Sequence, residues 1–163
     1  MVLDQSAKEL LMPKSTDFAT SDPCPYKPDK IARMNYKKVE EASKTFATNV
    51  TQRARRRYGK YFIHPACFGC NACKSLRVDI REYRFTKSQR KAIKRNENTE
   101  VLVQKPQVTQ QHLELYNKYH KYKSQSEEWE YEDTTHKDYF DEFVDGAHDF
   151  GKEILYYIDK KLV

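Results

Sequence analysis

The stretch HPACFGCNACKSLRV, residues 64–78, sets three cysteines within seven residues and then runs into a basic segment rich in strand-forming side chains. Its reading fixes what kind of chain this is. Cys67-x-x-Cys70-x-x-Cys73 offers three thiolates at a spacing that a turn or one helical face can converge on a tetrahedral metal, and Cys24 supplies a fourth ligand from a distance. That count suits zinc or an iron-sulfur cluster, and His64 is an alternative ligand. Two further readings stay open: small apolar thiols buried at a strand-loop junction, and a reactive thiol, for which no His-Asn arrangement is visible.

Charge singles out the same region. Residues 51–95 hold 14 Lys/Arg against 2 Asp/Glu, whereas residues 96–163 hold 8 against 15, so the net +6 conceals a basic middle and an acidic final third. Such asymmetry points to a polyanionic partner for the middle of the chain. No apolar run is long enough to cross a bilayer, and the charged opening MVLDQSAKELLMPKSTDF lacks the apolar stretch of a secretory signal. A cytoplasmic protein with reduced thiols and no membrane partner is therefore expected.

Working outward, residues 1–22 are polar and read as extended or loosely packed, and PCPYKPDK, residues 23–30, is a proline-punctuated turn holding Cys24. Residues 35–50 place Tyr36, Val39, Ala42 or Ser43, Phe46 and Val50 near one helical face. KYFI (60–63) and SLRVDIREYRF (75–85) read as strands, the second with partial alternation through Leu76, Val78, Ile80 and Tyr83. Thr86 and Gln89 have capping-box spacing at the start of a helix through Asn96, on which Lys87, Lys91, Lys94 and Arg95 share a face.

TEVLVQKP (99–106) is a further strand, and Thr109 caps a second helix, with Val108 and Leu113 placed as a hydrophobic staple. Tyr116, Tyr119 and Tyr122 on that helix read as core with polar tips. THKDYFDEFV (135–144) is a third, short helix, and KEILYYIDKKLV (152–163) is a strand, a tight turn and the start of another strand. A strand pair that stops just after its turn leaves an apolar edge unpaired, which predicts that the chain is the N-terminal part of a longer protein.

Four blocks in order, CPYKPDKIARM (24–34), RRRYGKYFIHPACFGCNACKSLRVDI (55–80), FTKSQRKAIKRN (85–96) and LELYNKYHKYK (113–123), resemble the arginyl-tRNA-protein transferase family on its bacterial aspartate/glutamate leucyltransferase branch. The resemblance spans about residues 22–163. Ile63 and Lys123-Ser124 depart from the side chains often found there. It implies transfer of leucine or arginine from an aminoacyl-tRNA to the N-terminus of proteins starting with Asp or Glu, as a mark for degradation. It also implies an α+β fold: a small cysteine-containing N-terminal domain over residues 1–95, then the beginning of an acetyltransferase-like (GNAT-like) domain over 96–163, inactive without the remainder.

On the same ground, Arg77, Ser88, Gln89, Arg90, Lys94 and Asn96 would contact substrate or tRNA, with Arg77 or Arg90 gripping the acceptor's carboxylate. The chemistry, aminolysis of an ester, requires no cofactor. Cys24, Cys67, Cys70 and Cys73 as ligands of zinc or an iron-sulfur cluster would be architectural or regulatory, although the N-terminal CxxC of eukaryotic relatives is missing. A competing reading is a metal-stabilised RNA-binding module without catalytic activity. An N-acetyltransferase would need a glycine-rich turn for a pyrophosphate, and the four glycines are not clustered.

Overall fold

The computed structural model of the chain describes residues 14–127 and 130–163. Within them the architecture is α+β, with two antiparallel sheets and intervening helices. The first sheet contains β1 (Ser15–Pro23), β2 (Ile31–Val39), β3 (Arg56–Tyr58) and β4 (Tyr61–Pro65), in the order β1-β2-β4-β3. The extended start expected for residues 1–22 is met from Ser15 by β1, and the reading of residues 1–13 lies outside the described residues.

The expected turn at residues 23–30 closes the β1–β2 hairpin, where the Cys24 amide donates to the Lys30 carbonyl at 2.9 Å. Phe18 and Tyr36, directly opposite each other in this hairpin, stack with ring centroids 4.9 Å apart, and Tyr61 of β4 meets both rings edge-on.

The helix expected over residues 35–50 is half strand. Residues through Val39 belong to β2, paired on both sides by β1 and β4. Helix α1 (Lys44–Gln52) begins after Ser43, whose hydroxyl accepts from the Phe46 amide at 3.1 Å. The helical spacing of Tyr36 and Val39 is overridden by two strand neighbours, a non-local effect that local periodicity does not carry. Val39, at the end of β2, then enters the core formed with Ala47 and Phe62, and Phe46 crosses Phe62 at 84°. Phe150, far along the chain, packs against this core.

Residues 75–85, expected as a strand, form none. Asp79 folds the segment on itself by accepting from the Arg81 amide at 3.0 Å and from its guanidinium at 2.7 Å. Leu76 and Ile80 are left 92% and 85% exposed. The side chains favour a strand, yet no described strand lies alongside to pair with it.

Helix α2 (Lys87–Arg95) has the expected capping box, with the Gln89 amide donating to the Thr86 hydroxyl and the Gln89 side chain accepting from the Thr86 amide. β5 (Glu100–Gln104) follows. In α3 (Gln110–Glu127) the Thr109 hydroxyl accepts from the His112 amide at 3.2 Å, as the sequence predicts. Of the tyrosine stripe, Tyr116 packs among Tyr139 and Phe143 while Tyr119 and Tyr122 are exposed.

The short helix α4 (His136–Tyr139) passes into a π-helical turn, Phe140–Val144. β6 (Glu153–Ile158) and β7 (Lys161–Leu162) complete a second sheet of order β5-β6-β7, and their turn residues Asp159 and Lys160 take the left-handed values the tight connection needs. No helix among the described residues is long and apolar enough to cross a membrane.

Candidate functional site

The site grows from the way α1 ends. The Arg55 amide donates to the Val50 carbonyl and the Ala54 amide to the Thr51 carbonyl, the paired bonds of a Schellman cap, with Ala54 in the left-handed region at φ 63°. This cap turns the chain directly from the helix into Arg55, Arg56 and Arg57, so three guanidinium groups leave the same corner.

The third is committed to structure. Arg57, half-buried, donates to the carbonyls of Gly59 at 3.1 Å, Asp145 at 3.2 Å and Phe143 at 3.4 Å. Burial pulls its guanidinium below the ordinary arginine range.

The β3–β4 hairpin is thereby locked to the segment following the π turn. The Gly59 amide donates to the Glu142 carbonyl at 2.8 Å, and Gly59 and Gly146 bring the two backbones into direct contact. Lys60 bridges Glu40 at 3.0 Å and Asp145 at 3.3 Å, and Lys38 also bonds Glu40. Hydrogen bonds from Lys38 and then Lys60 hold the Glu40 carboxyl down to about 2. Burial, and next the Glu142 carboxylate, push the Tyr58 hydroxyl up.

Beside this lock lie two adjoining clefts that share Thr51, Gln52 and Arg77. The first, about 410 Å³, has an apolar floor of Ala47, Phe62 and Phe150 and cationic walls from Lys44, Arg57 and Arg77. With Arg57 tied to backbone carbonyls, Lys44 and Arg77 are the cations it presents to a ligand. The second, about 480 Å³, gathers Arg55, Arg56, Lys74 and Arg77 with the hydroxyls of Thr51 and Ser75. No Asp or Glu is among the described residues lining either one. Chemically, the first suits a short acidic group on an apolar stem, and the second a more highly charged anion.

Arg77 is thus placed centrally, and the other expected contact residues lie elsewhere, on α2. Ser88 meets the Thr86 hydroxyl at 3.1 Å, Gln89 closes the capping box and also reaches the Tyr83 hydroxyl, and Arg90 donates to the Phe85 carbonyl. Asn96 closes the other end on the Ala92 carbonyl at 2.8 Å, and Lys94 is exposed on the same helix. None of these five lines either cleft. The clefts instead draw on Lys44, Arg55, Arg56 and Lys74. The charge run pointed to the last three, and nothing in the sequence separated them from the other cations.

The four cysteines are not brought together. Among the described residues no three His, Cys, Asp or Glu side chains form a group able to hold a metal ion. The Cys67 thiol is engaged by the Arg33 backbone, accepting from its amide at 3.4 Å, and Cys24 lies in the β1–β2 loop. Cys73 is exposed. A tetrahedral thiolate site does not fit this arrangement.

Residues 22–91 match the family described as Arginine-tRNA-protein transferase, N terminus, a span that includes the second cleft and all four cysteines. Over 142 residues the chain is 41% identical to the aspartate/glutamate leucyltransferase of Campylobacter jejuni subsp. jejuni serotype O:6, covering 87% of this chain and 59% of that relative. The enzyme of the same name from Helicobacter hepaticus is 39% identical over 140 residues, with 86% and 58% covered. That from Hahella chejuensis is 33% identical over 104 residues, with 63% and 44% covered. The chain spans less than two thirds of the length of these curated relatives.

Proposed function

We propose that the chain belongs to the arginine-tRNA-protein transferase family and forms part of a cytoplasmic enzyme that transfers leucine from its tRNA to the N-terminal amine of proteins beginning with Asp or Glu. Kinship with aspartate/glutamate leucyltransferases supports the reaction class. The observation that carries the acceptor assignment is the first cleft, where Arg77 and Lys44 stand over the apolar floor of Ala47, Phe62 and Phe150. In this reading the acceptor's acidic side chain lays its methylene groups on that floor and its carboxylate against the Arg77 guanidinium, a planar fork matched to a planar anion.

In the reaction the acceptor's amine nitrogen attacks the carbonyl carbon of the leucyl ester, and the bond from that carbon to the ribose oxygen breaks. The amine's proton ends on the departing ribose hydroxyl, and a new amide remains. Such a step needs a neutral amine held in line and donors for the developing oxyanion. The Arg77 cleft contributes the first requirement by fixing the acceptor through its side chain, and no step is assigned to the cysteines.

The sheet β5-β6-β7 is read as the opening of an acetyltransferase-like sheet. The proposed division into residues 1–95 and 96–163 is then one of sheets rather than of cores, since Phe150 packs into the core under the first sheet.

The test is transfer of labelled leucine from leucyl-tRNA, catalysed by the protein that carries this chain, to peptides differing in their first residue alone. Label on the Asp and Glu peptides and not on the Ala peptide is the expected result. Transfer indifferent to the first residue would remove the acceptor assignment, and no transfer to any peptide would remove the reaction.

A further inference from the structure

The second cleft carries a charge problem that the acceptor does not resolve. Several cations elsewhere on the first sheet and its flanking segments are compensated: Lys37 by Asp17 at 2.7 Å, Lys38 and Lys60 by Glu40, Arg81 by Asp79 at 2.7 Å. Among the described residues Arg55, Arg56, Lys74 and Arg77 have no ion-pair partner, yet all four line one cleft of about 480 Å³. Two like charges 4 Å apart repel by about 1 kcal/mol even in water. A fold therefore has to enforce such a gathering, and here the Schellman cap at Ala54 and the hairpin locked through Arg57 do so.

A single side-chain carboxylate brings one negative charge and meets Arg77 from the neighbouring cleft, leaving three cations unanswered. Consecutive phosphodiesters bring one charge each, spaced along a chain, with oxygens able to accept from the Thr51 and Ser75 hydroxyls as well as from guanidinium and ammonium groups.

We propose that Arg55, Arg56, Lys74 and the hydroxyls of Thr51 and Ser75 form a subsite for the phosphodiester backbone of the RNA donor, with Arg77 on the wall between it and the acceptor cleft. This rests on the reading of the donor as an aminoacyl-tRNA. It gives the two clefts separate tasks: the apolar-floored one takes the acceptor, the hydroxyl-lined one the donor's backbone. Arg77, shared by both, sets the two substrates side by side.

The experiment measures binding of a deacylated tRNA to the full chain over a series of KCl concentrations. Each phosphate neutralised contributes about 0.7 to 0.9 to the slope of log affinity against log salt. The variant Arg55→Ala/Arg56→Ala/Lys74→Ala is expected to reduce that slope by about 2 to 3 and to weaken binding at least tenfold at low salt. The variant Lys105→Ala/Lys118→Ala/Lys121→Ala removes the same charge from exposed positions outside both clefts, and its slope is expected to match the parent. The triple Gln variant at positions 55, 56 and 74 keeps the aliphatic stems and gives the same readout if the Ala variant unfolds.

Equal slope losses in the two charge-matched variants would reduce the binding to net charge and overturn the subsite. So would an unchanged slope in the cleft variant, or no salt-dependent binding by the parent. RNA binding of the expected form in a protein that fails to transfer leucine would leave the subsite standing and overturn the transferase reading alone.

Discussion

Ala54 shows how much can depend on a residue with no functional group. At φ 63° it holds a backbone conformation that disfavours a Cβ by roughly 1–2 kcal/mol, and the two bonds of the Schellman cap keep it there. Replacing it with glycine removes that strain and adds chain entropy to the unfolded state, a smaller opposing effect of about 0.5–1 kcal/mol. Ala54→Gly is therefore expected to stabilise the protein by about 0.5–1 kcal/mol, read as a higher denaturation midpoint with an unchanged slope. A lower midpoint would contradict the left-handed cap. The residue also explains why the clefts were only partly legible. Arg77 could be singled out through the family resemblance of the segment after the cysteine block, but the turn that gathers Arg55 and Arg56 sits on an alanine, and a left-handed cap announces itself in sequence when it falls on glycine or asparagine. The caps at Thr86 and Thr109, by contrast, depend on side chains three residues from the amides they bond, and were readable from spacing alone.

Among elements, the β3–β4 hairpin joins the early sheet to the later half of the chain. Its tip, Gly59, faces the π turn so closely that a Cβ there would stand 2.1 Å from the Asp141 carbonyl oxygen, a backbone atom that cannot swing aside. Gly59 also takes φ 54° in a two-residue loop, so a side chain is disfavoured by conformation as well as by space. Gly59→Ala should destabilise the fold by about 2–4 kcal/mol through overpacking and the loss of the bond to Glu142. Urea denaturation checks this, and a change below about 0.5 kcal/mol would show that the hairpin is not pressed against residues 141–146. Elements of this kind separate what the chain states locally from what it does not. β5, α2, α3 and the β6–β7 turn were readable because period, caps and turn residues agree. The first half of the helix expected over residues 35–50 and the strand expected over 75–85 failed for opposite reasons. β2 has two partner strands that override a helical pattern, and residues 75–85 have strand-like side chains with no described strand to receive them.

On the scale of the whole molecule, a chain that is basic in its middle and acidic in its final third resolves these charges unequally. From the later half Asp145 pairs with Lys60, while the cations around Arg77 are left unpaired and Phe150 from that same half floors the cleft in which Arg77 stands. The proposed acceptor cleft is thus lined by residues about 100 positions apart, which is why composition could indicate an anionic partner but not where it binds. The central claim is that Arg77 reads the acceptor's acidic side chain. The most direct test compares kcat/KM for peptides starting with Asp and with Ala in the parent protein and in Arg77→Ala. Loss of a charge-assisted contact of about 1.5–3 kcal/mol predicts a drop of roughly 10- to 150-fold for the Asp peptide, with partial recovery in Arg77→Lys and little change for the Ala peptide. An equal fall for both peptides, or none for either, would contradict it.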